Sequence, residues 1–489
     1  MHLIQGCIPI LLALMVSSSS GGDETGGSSG ASRPGGDALP FAEAAEPDRR
    51  EVRRYLDSPH WPFRTIALLR LERYAGGEVE SLVRGRFLDP SWQVRCFAVR
   101  QAHRMGIEVR ASELEGENDA RVIRAAVRAG VRLDAVRLER GVRRLLRSSS
   151  PDQVLLGLEI AAGSDNTGLR NDAEGRGARF IRHMDEVEAV RFSRRLSRLY
   201  GAAAAPESAE AWRAWAAGQE GGPSFAPLEG ASGRDDGGRR SVVAEMDGGT
   251  FSRLMDYLDA LRQKDIDLVI VMDSTNSMMP MINEARAGVD SLILFFDDLA
   301  RTMRLAFVAY RDYDNEPLFE VHPFTGDVNS IRRFLFRLRI TGGADLPEAV
   351  LEGLTACKDL EWHAGAGKRV ILVGDARPHE GDEYRIGLVL GRLGEKGVTV
   401  DALHVPQRPN ARYLEALLPG EAERYREEVA EHTRLTGLAF AHIAAQGGGR
   451  KATIDEAEGF VPAVMHLNIE ERWWPAFDEF YRLYVMLCR

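Results

Sequence analysis

The stretch LVIVMDSTNSMMP, residues 268–280, decides the fold. An apolar run closes on Asp273, four small or polar residues follow, and helical spacing then begins in MMPMINEARAGVDSLILFFDDLA. A continuous apolar run of strand length belongs to a strand buried on both faces. Asp273, Thr275 and Ser277 alternate directly after it, which aims three oxygens at one point. In doubly wound sheets, ligands sit at the carboxyl ends of strands, where these three residues fall.

Outward from that stretch, strand and helix patterns alternate. DIDLVIVMD (265–273), RLAFVAY (304–310), LFEVHPFT, KRVILVGD (368–375), VTVDALHV and a short LAFAHI read as strands, and the segments between most of them carry helical periodicity. TIDEAEGFVPAVMHLN reads as the last helix. The alternation predicts an α/β, mostly parallel, doubly wound, Rossmann-like sheet with its core over 265–470. Two further loops then reach the same edge. ITGGADLPE (340–348) places Asp345 after two glycines, and VILVGDARPH places Asp375 at a strand end. Carboxylates and hydroxyls from three loops are hard oxygen donors, which suit Mg²⁺, with Mn²⁺ or Ca²⁺ as alternatives. A single Asp at a strand end is most often a helix cap, and Ser277 could cap the helix that follows. The weight lies in five such residues, Asp273, Thr275, Ser277, Asp345 and Asp375, sharing one edge.

These residues resemble the von Willebrand factor type A domain. That family carries a metal-ion-dependent adhesion site with a D-x-S/T-x-S loop, a Thr in a second loop and an Asp after a later strand. DSTNS matches the first element, Asp375 the last, and Asp345 stands where the family has Thr. The GGxDxPE loop, the DA-x-PH turn and AYRDYD (309–314) resemble a bacterial and protozoan subgroup. The resemblance implies a metal-dependent, non-enzymatic module that binds a protein ligand. It covers about two fifths of the chain. Asp312 reads as a partner of Arg311 or a loop anchor, not as a ligand.

Rival chemistries lack a needed residue. A haloacid-dehalogenase-type phosphatase needs a second Asp as acid/base where Thr275 stands. A P-loop ending in GAGK (365–368) needs Gly where Trp362 stands, and a dinucleotide loop needs glycines that DSTNSM lacks. His404 and His442 read as structural. A metal-dependent hydrolase or phosphatase on a Rossmann-like fold, or an accessory factor of an ATPase, remain the alternatives to the binding module.

Upstream, residues 46–218 show apolar spacing of helices and self-similarity at about 30 residues. WPFRTIALLRL from Trp61, WQVRCFAVRQA from Trp92, ARVIRAAVRAG from Ala120 and PDQVLLGLEIA from Pro151 align, with Arg64, Arg95 and Arg124 in register. DPSW and END precede two of them as caps. This resembles an all-α, HEAT-like repeat array; a non-repeating helical bundle is the other reading. The expected division is a signal peptide at 1–20, a Gly/Ser-rich linker at 21–45, the helical domain at 46–218, a second linker at 219–247 and the sheet domain at 248–489.

The apolar segment Ile8–Val16 running into small residues suggests export, to periplasm, cell surface or medium, although only His2 precedes it as a cation. A net charge of −10 disfavours a general nucleic-acid binder, and no other segment is long and apolar enough to span a membrane. Every basic side chain before Lys264 is Arg or His, which fits a GC-rich coding bias. The 4 cysteines, Cys7, Cys96, Cys357 and Cys488, are too dispersed for a zinc cluster; a Cys357–Cys488 bridge is conceivable.

Overall fold

The computed structural model describes residues 38–202, 206, 208–226, 239–342, 347–409, 414 and 417–488. The expected signal peptide and most of the first linker lie outside the described residues.

Among the described residues, ten α-helices build the N-terminal part: α1 Glu46–Leu56, α2 Trp61–Arg70, α3 Gly77–Gly85, α4 Trp92–Arg104, α5 Ala120–Arg128, α6 Ala135–Leu146, α7 Pro151–Ala162, α8 Thr167–His183, α9 Glu186–Tyr200 and α10 Ala209–Ala217. The aligned arginines have a common task. Arg64 on α2 donates to both Asp89 oxygens, at 2.8 and 2.6 Å, just ahead of α4. Arg95 on α4 grips Glu117 ahead of α5, at 2.6 and 3.1 Å. Each guanidinium thus ties its own helix to the turn that opens the next, in paired geometry that fits a carboxylate. Arg124 departs from the series and reaches Glu159 on α7 at 2.7 Å. Asp119 caps α5 by accepting from the Arg121 N–H, as END implied, whereas Asp89 in DPSW serves Arg64 and the Ser91 N–H.

The C-terminal part is a six-stranded sheet of β1 Asp265–Asp273, β2 Thr302–Tyr310, β3 Phe319–Thr325, β4 Gly367–Gly374, β5 Val398–His404 and β6 Gly448–Thr453, in the order β3-β2-β1-β4-β5-β6. All neighbours are parallel except the edge pair β2/β3. The strand period decides which residue meets which layer. Leu268, Ile270 and Met272 of β1 enter one core, and Val269 and Val271 enter the other. Helices α11 Gly248–Arg262, α12 Met279–Leu299, α13 Val328–Arg337 and α17 Phe460–Asn468 cover the first face. Helices α14 Val350–Ala356, α15 Glu383–Glu395 and α16 Pro419–Gln446 cover the second. The result is a doubly wound sheet.

The packing cuts across the chain division. One core runs from Val52, Phe63 and Phe97 of the helical part through to Ile270, Phe295 and Phe477 of the sheet part. A last helix, α18 Trp474–Cys488, carries much of this contact. Tyr484 stacks on Trp61 with ring centroids 5.9 Å apart, and Phe480 meets Phe97 at 5.8 Å. Chain that the sequence places in the second linker is pinned as well. Buried Arg70 donates to the carbonyls of Val243 and Ala244 at 3.1 and 3.2 Å, and the Ser241 hydroxyl donates to Glu479 at 2.9 Å.

Three expectations differ. LAFAHI is not a strand but the end of α16, where Phe440, Ile443 and Ala444 face the core at helical spacing. The sixth strand is GGRKAT, which has too few apolar residues to show a strand pattern. Cys357 is a free, fully buried thiol whose Sγ contacts the Gly353 carbonyl oxygen at 3.6 Å, so it forms no bridge to Cys488.

Candidate metal centre

β1 ends where Ser274 donates both its N–H and its hydroxyl to the Tyr310 carbonyl, at 2.8 and 2.9 Å. That rung closes the ladder and turns the chain toward α12. Asp273, at the turn, is fully buried and accepts from the Thr275 N–H at 2.8 Å and the Thr275 hydroxyl at 2.7 Å, both through Oδ1. The Thr275 and Ser277 hydroxyls are 3.2 Å apart, which strings Asp273, Thr275 and Ser277 into one line of oxygens. Ser277 is exposed, so the line runs from the core to solvent.

Asp375 follows β4, the strand paired with β1, whose register sets Met272 opposite Val373. Gly374 permits the close approach: a Cβ there would meet the Tyr310 hydroxyl at 2.7 Å and the Asp273 Cβ at 3.4 Å. Asp375 is 3% exposed; its Oδ2 accepts from the Gln407 amide at 3.3 Å, and His432 donates to its carbonyl at 3.1 Å. Two buried carboxylates therefore face one another. Asp273 Oδ2 and Asp375 Oδ1 have no hydrogen-bond partner among the described residues. Burial first, and the Asp375 charge second, push the Asp273 carboxyl well above the usual range. Burial also raises Asp375, against the lowering effect of the Ser277 hydroxyl and the Gln407 amide. A buried acceptor without a donor is costly, and like charges in low dielectric are costlier. A proton or a cation resolves both. The surrounding donors are carboxylate and hydroxyl oxygens, a set that fits a hard divalent cation.

The second loop reaches the cluster through backbone. The Asn276 N–H and side-chain amide both donate to the Gly342 carbonyl, at 3.4 and 2.9 Å, and Gly342 has a φ of 88° that favours glycine. Asp345 lies outside the described residues. So the structure brings Asp273, Thr275, Ser277 and Asp375 together. Among the described residues no three His, Cys, Asp or Glu side chains converge to hold a metal, and the cluster is two carboxylates with two hydroxyls.

The subgroup-like motifs beside the site latch onto each other. Asp312 of YRDYD pairs with His379 of DARPH at 2.5 Å, not with Arg311. Tyr313 packs on the His379 ring at 4.6 Å and donates to Glu352 at 3.0 Å. Buried Arg311 instead donates to the Pro317 and Arg339 carbonyls, at 2.7 and 2.5 Å. Sequence reasoning missed Gln407 and His432. Gln407 follows β5 at the productive edge and was findable there. His432 enters from α16, and nothing local marks it.

Residues 267–441 match the von Willebrand factor A domain family. The alpha-protein kinase vwkA of Dictyostelium discoideum is 30% identical over 122 residues, which cover 24% of this chain and 19% of the kinase. An ariadne-like RING finger protein of Acanthamoeba polyphaga mimivirus is 28% identical over 123 residues, 25% of this chain and 12% of that protein. The chain thus spans a fifth or less of these curated relatives. Among solved structures, the SpRpn10 VWA domain aligns with 41% of this chain and 95% of its own length, at 10% identity and a TM-score of 0.28. The pilus adhesin SpaC of Lactobacillus rhamnosus GG, in its open conformation, aligns with 45% of this chain and 31% of its own length, at 13% identity and a TM-score of 0.27.

Proposed function

Proceeding from a von Willebrand factor A domain over residues 267–441, we propose that this chain is an exported, metal-dependent protein-binding module whose helical part is its scaffold. The observation that carries the reading is the pair of buried oxygens on Asp273 and Asp375 that have no hydrogen-bond partner among the described residues. Asp273, Thr275, Ser277 and Asp375 would hold Mg²⁺, or Mn²⁺ or Ca²⁺ in its place, and Asp345 would join them from the second loop. Bound there, the cation would offer an open coordination position to an oxygen of a protein partner.

The chain's own residues set the direction and the chemistry. Asp273 and Thr275 close the inner side by burial, and exposed Ser277 marks the side from which a partner approaches. Carboxylates crowded around one divalent ion neutralise it, which favours capture of a ligand over activation of water. Export rests on the apolar run Ile8–Val16, and N-terminal sequencing of the protein recovered outside the cytoplasm tests it.

The function is tested with immobilised full chain, as wild type and as Asp273→Ala, exposed to extracellular proteins of the source. Proteins held in Mg²⁺, released by chelator and absent from Asp273→Ala are expected. Retention indifferent to both chelator and Asp273 contradicts the reading. Turnover of a phosphate ester that depends on Asp273 would make the site an enzyme's.

A further inference from the structure

The helical part carries an open-mouthed cavity of about 550 Å³ between the turn Ala111–Leu114 and helices α5, α6 and α7. Leu114, Ile123, Leu138, Val142, Leu145 and Ile160 supply its apolar wall. Small-molecule sites occupy roughly 300–1,000 Å³, are mostly apolar and carry a few placed polar groups. This cavity has that size and that lining.

A glycine keeps it open. Gly141 lies in the middle of α6 and lines the cavity, and a Cβ there would meet no atom within 4 Å. Glycine is a poor residue for a helix interior, so a packing reason is usually found for it. Gly157 on α7 has one, since its Cβ would sit 3.0 Å from Leu145 and 3.1 Å from Leu146. Gly141 has none. Its effect is to hold the wall back from the cavity.

The charges at the wall select the sign of an occupant. Arg137 and Arg144 stand two turns apart on α6, and both line the cavity. The Arg137 guanidinium donates to the Glu117 carbonyl and to the Asn118 amide oxygen, both uncharged acceptors. The exposed Arg144 guanidinium has no ion pair or hydrogen bond among the described residues. Of the lining carboxylates, Glu117 is already gripped by Arg95, and Asp134 caps α6 through the Arg137 N–H at 2.8 Å. Glu115 and Asp134 keep their charges and oppose an anion, both from exposed positions where the side chains stay in water.

We propose that this cavity binds a small amphiphile, with its apolar body against Leu138, Val142 and Leu145 and its anionic head at Arg137 and Arg144. A cavity of this volume, walled by three helices and a turn, fits a small molecule. The site shares no residue with the Asp273 cluster, so it stands or falls separately from the metal reading.

The test is isothermal titration of decanoate into the full chain, with decanol as the uncharged comparison. Decanoate should bind saturably and about tenfold or more tightly than decanol. Gly141→Leu, which fills the cavity, and Arg144→Glu, which reverses the head-group charge, should each weaken decanoate by about tenfold or more. Helical content and melting are read alongside. Arg144 is exposed, so its variant keeps the test decisive should Gly141→Leu fail to fold. Absence of saturable decanoate binding overturns the proposal, as does an affinity that Arg144→Glu leaves unchanged.

Discussion

Replacing Asp273 by Asn should make the metal-free protein more stable and the Mg²⁺-loaded protein less so. Asp273 Oδ1 accepts two hydrogen bonds from Thr275, and an amide oxygen keeps both. Among the described residues Oδ2 has no donor and faces Asp375, whose Oδ1 also has none. An amide NH₂ in that place donates to Asp375 without a proton having to be taken up, in a charge-assisted bond worth about 2 kcal/mol. At ~2 cal/mol/K of unfolding entropy per residue, a unit the size of residues 38–489 shifts by about 1 °C per kcal/mol. In chelator the variant should therefore melt about 2 °C above wild type. At one hundred times its dissociation constant, Mg²⁺ adds about 2.7 kcal/mol to wild type, or about 3 °C, and next to nothing to the variant. The order of melting should cross. The sign with pH follows from the raised carboxyls. The folded state holds protons that the unfolded state has released, so the wild type loses stability as pH rises above the ordinary carboxylate range. The variant's advantage in chelator should thus be small below about pH 4 and grow toward neutrality. Differential scanning fluorimetry across pH, with chelator and with Mg²⁺, reads all of this. A variant that melts below wild type in chelator, or gains as much from Mg²⁺, refutes the reasoning.

Other expectations concern the frame around the site. Glu159 is buried among Arg124, Arg128 and Arg195; burial alone would raise it, but Arg195 and Arg124 hold it well below the usual range. Glu159→Gln should cost about 3 kcal/mol by urea denaturation, because it strands the buried Arg124 guanidinium and leaves half-buried Arg195 and Arg128 beside it. The native contribution of Glu159 should be complete above the ordinary carboxylate range and decline progressively as pH falls from there toward the depressed folded value. Gly353→Ala would place a Cβ 2.8 Å from the Tyr310 ring and 3.0 Å from Val271, and should cost about 1–3 kcal/mol in the same assay. Asp312→Ala removes the partner of His379 at 2.5 Å, and amide exchange over residues 376–382 should quicken about tenfold, the equivalent of one charge-assisted bond of ~1.5 kcal/mol. Unchanged exchange there would deny the latch a role in holding that loop.

Much of this molecule was legible in order along the chain. The apolar run before Asp273 holds its reading as a strand because a central parallel strand is buried on both faces. Asp375 was found by the same rule. The arginine register Arg64, Arg95 and Arg124 was visible as self-similarity, but its cause is a carboxylate 22 to 35 residues further on, which no local pattern reveals. LAFAHI misled because a short apolar run fits either period, and only the helix running into it from Pro419 decides. The domain division follows the chain, whereas the packing follows Phe477, Phe480 and Tyr484 on the last helix, which return to the first helices through contacts that sequence order hides. His432 belongs to the same class, since it meets Asp375 only after 57 residues of intervening chain.

Whether Asp273, Thr275, Ser277 and Asp375 form one cation site is decided by Mn²⁺ titration of the full chain, with free ion read by electron paramagnetic resonance. A single saturable Mn²⁺ per chain is expected, displaced by excess Mg²⁺ and lost in both Asp273→Ala and Asp375→Ala. Mn²⁺ binding that survives both substitutions, or none in the wild type, would contradict it.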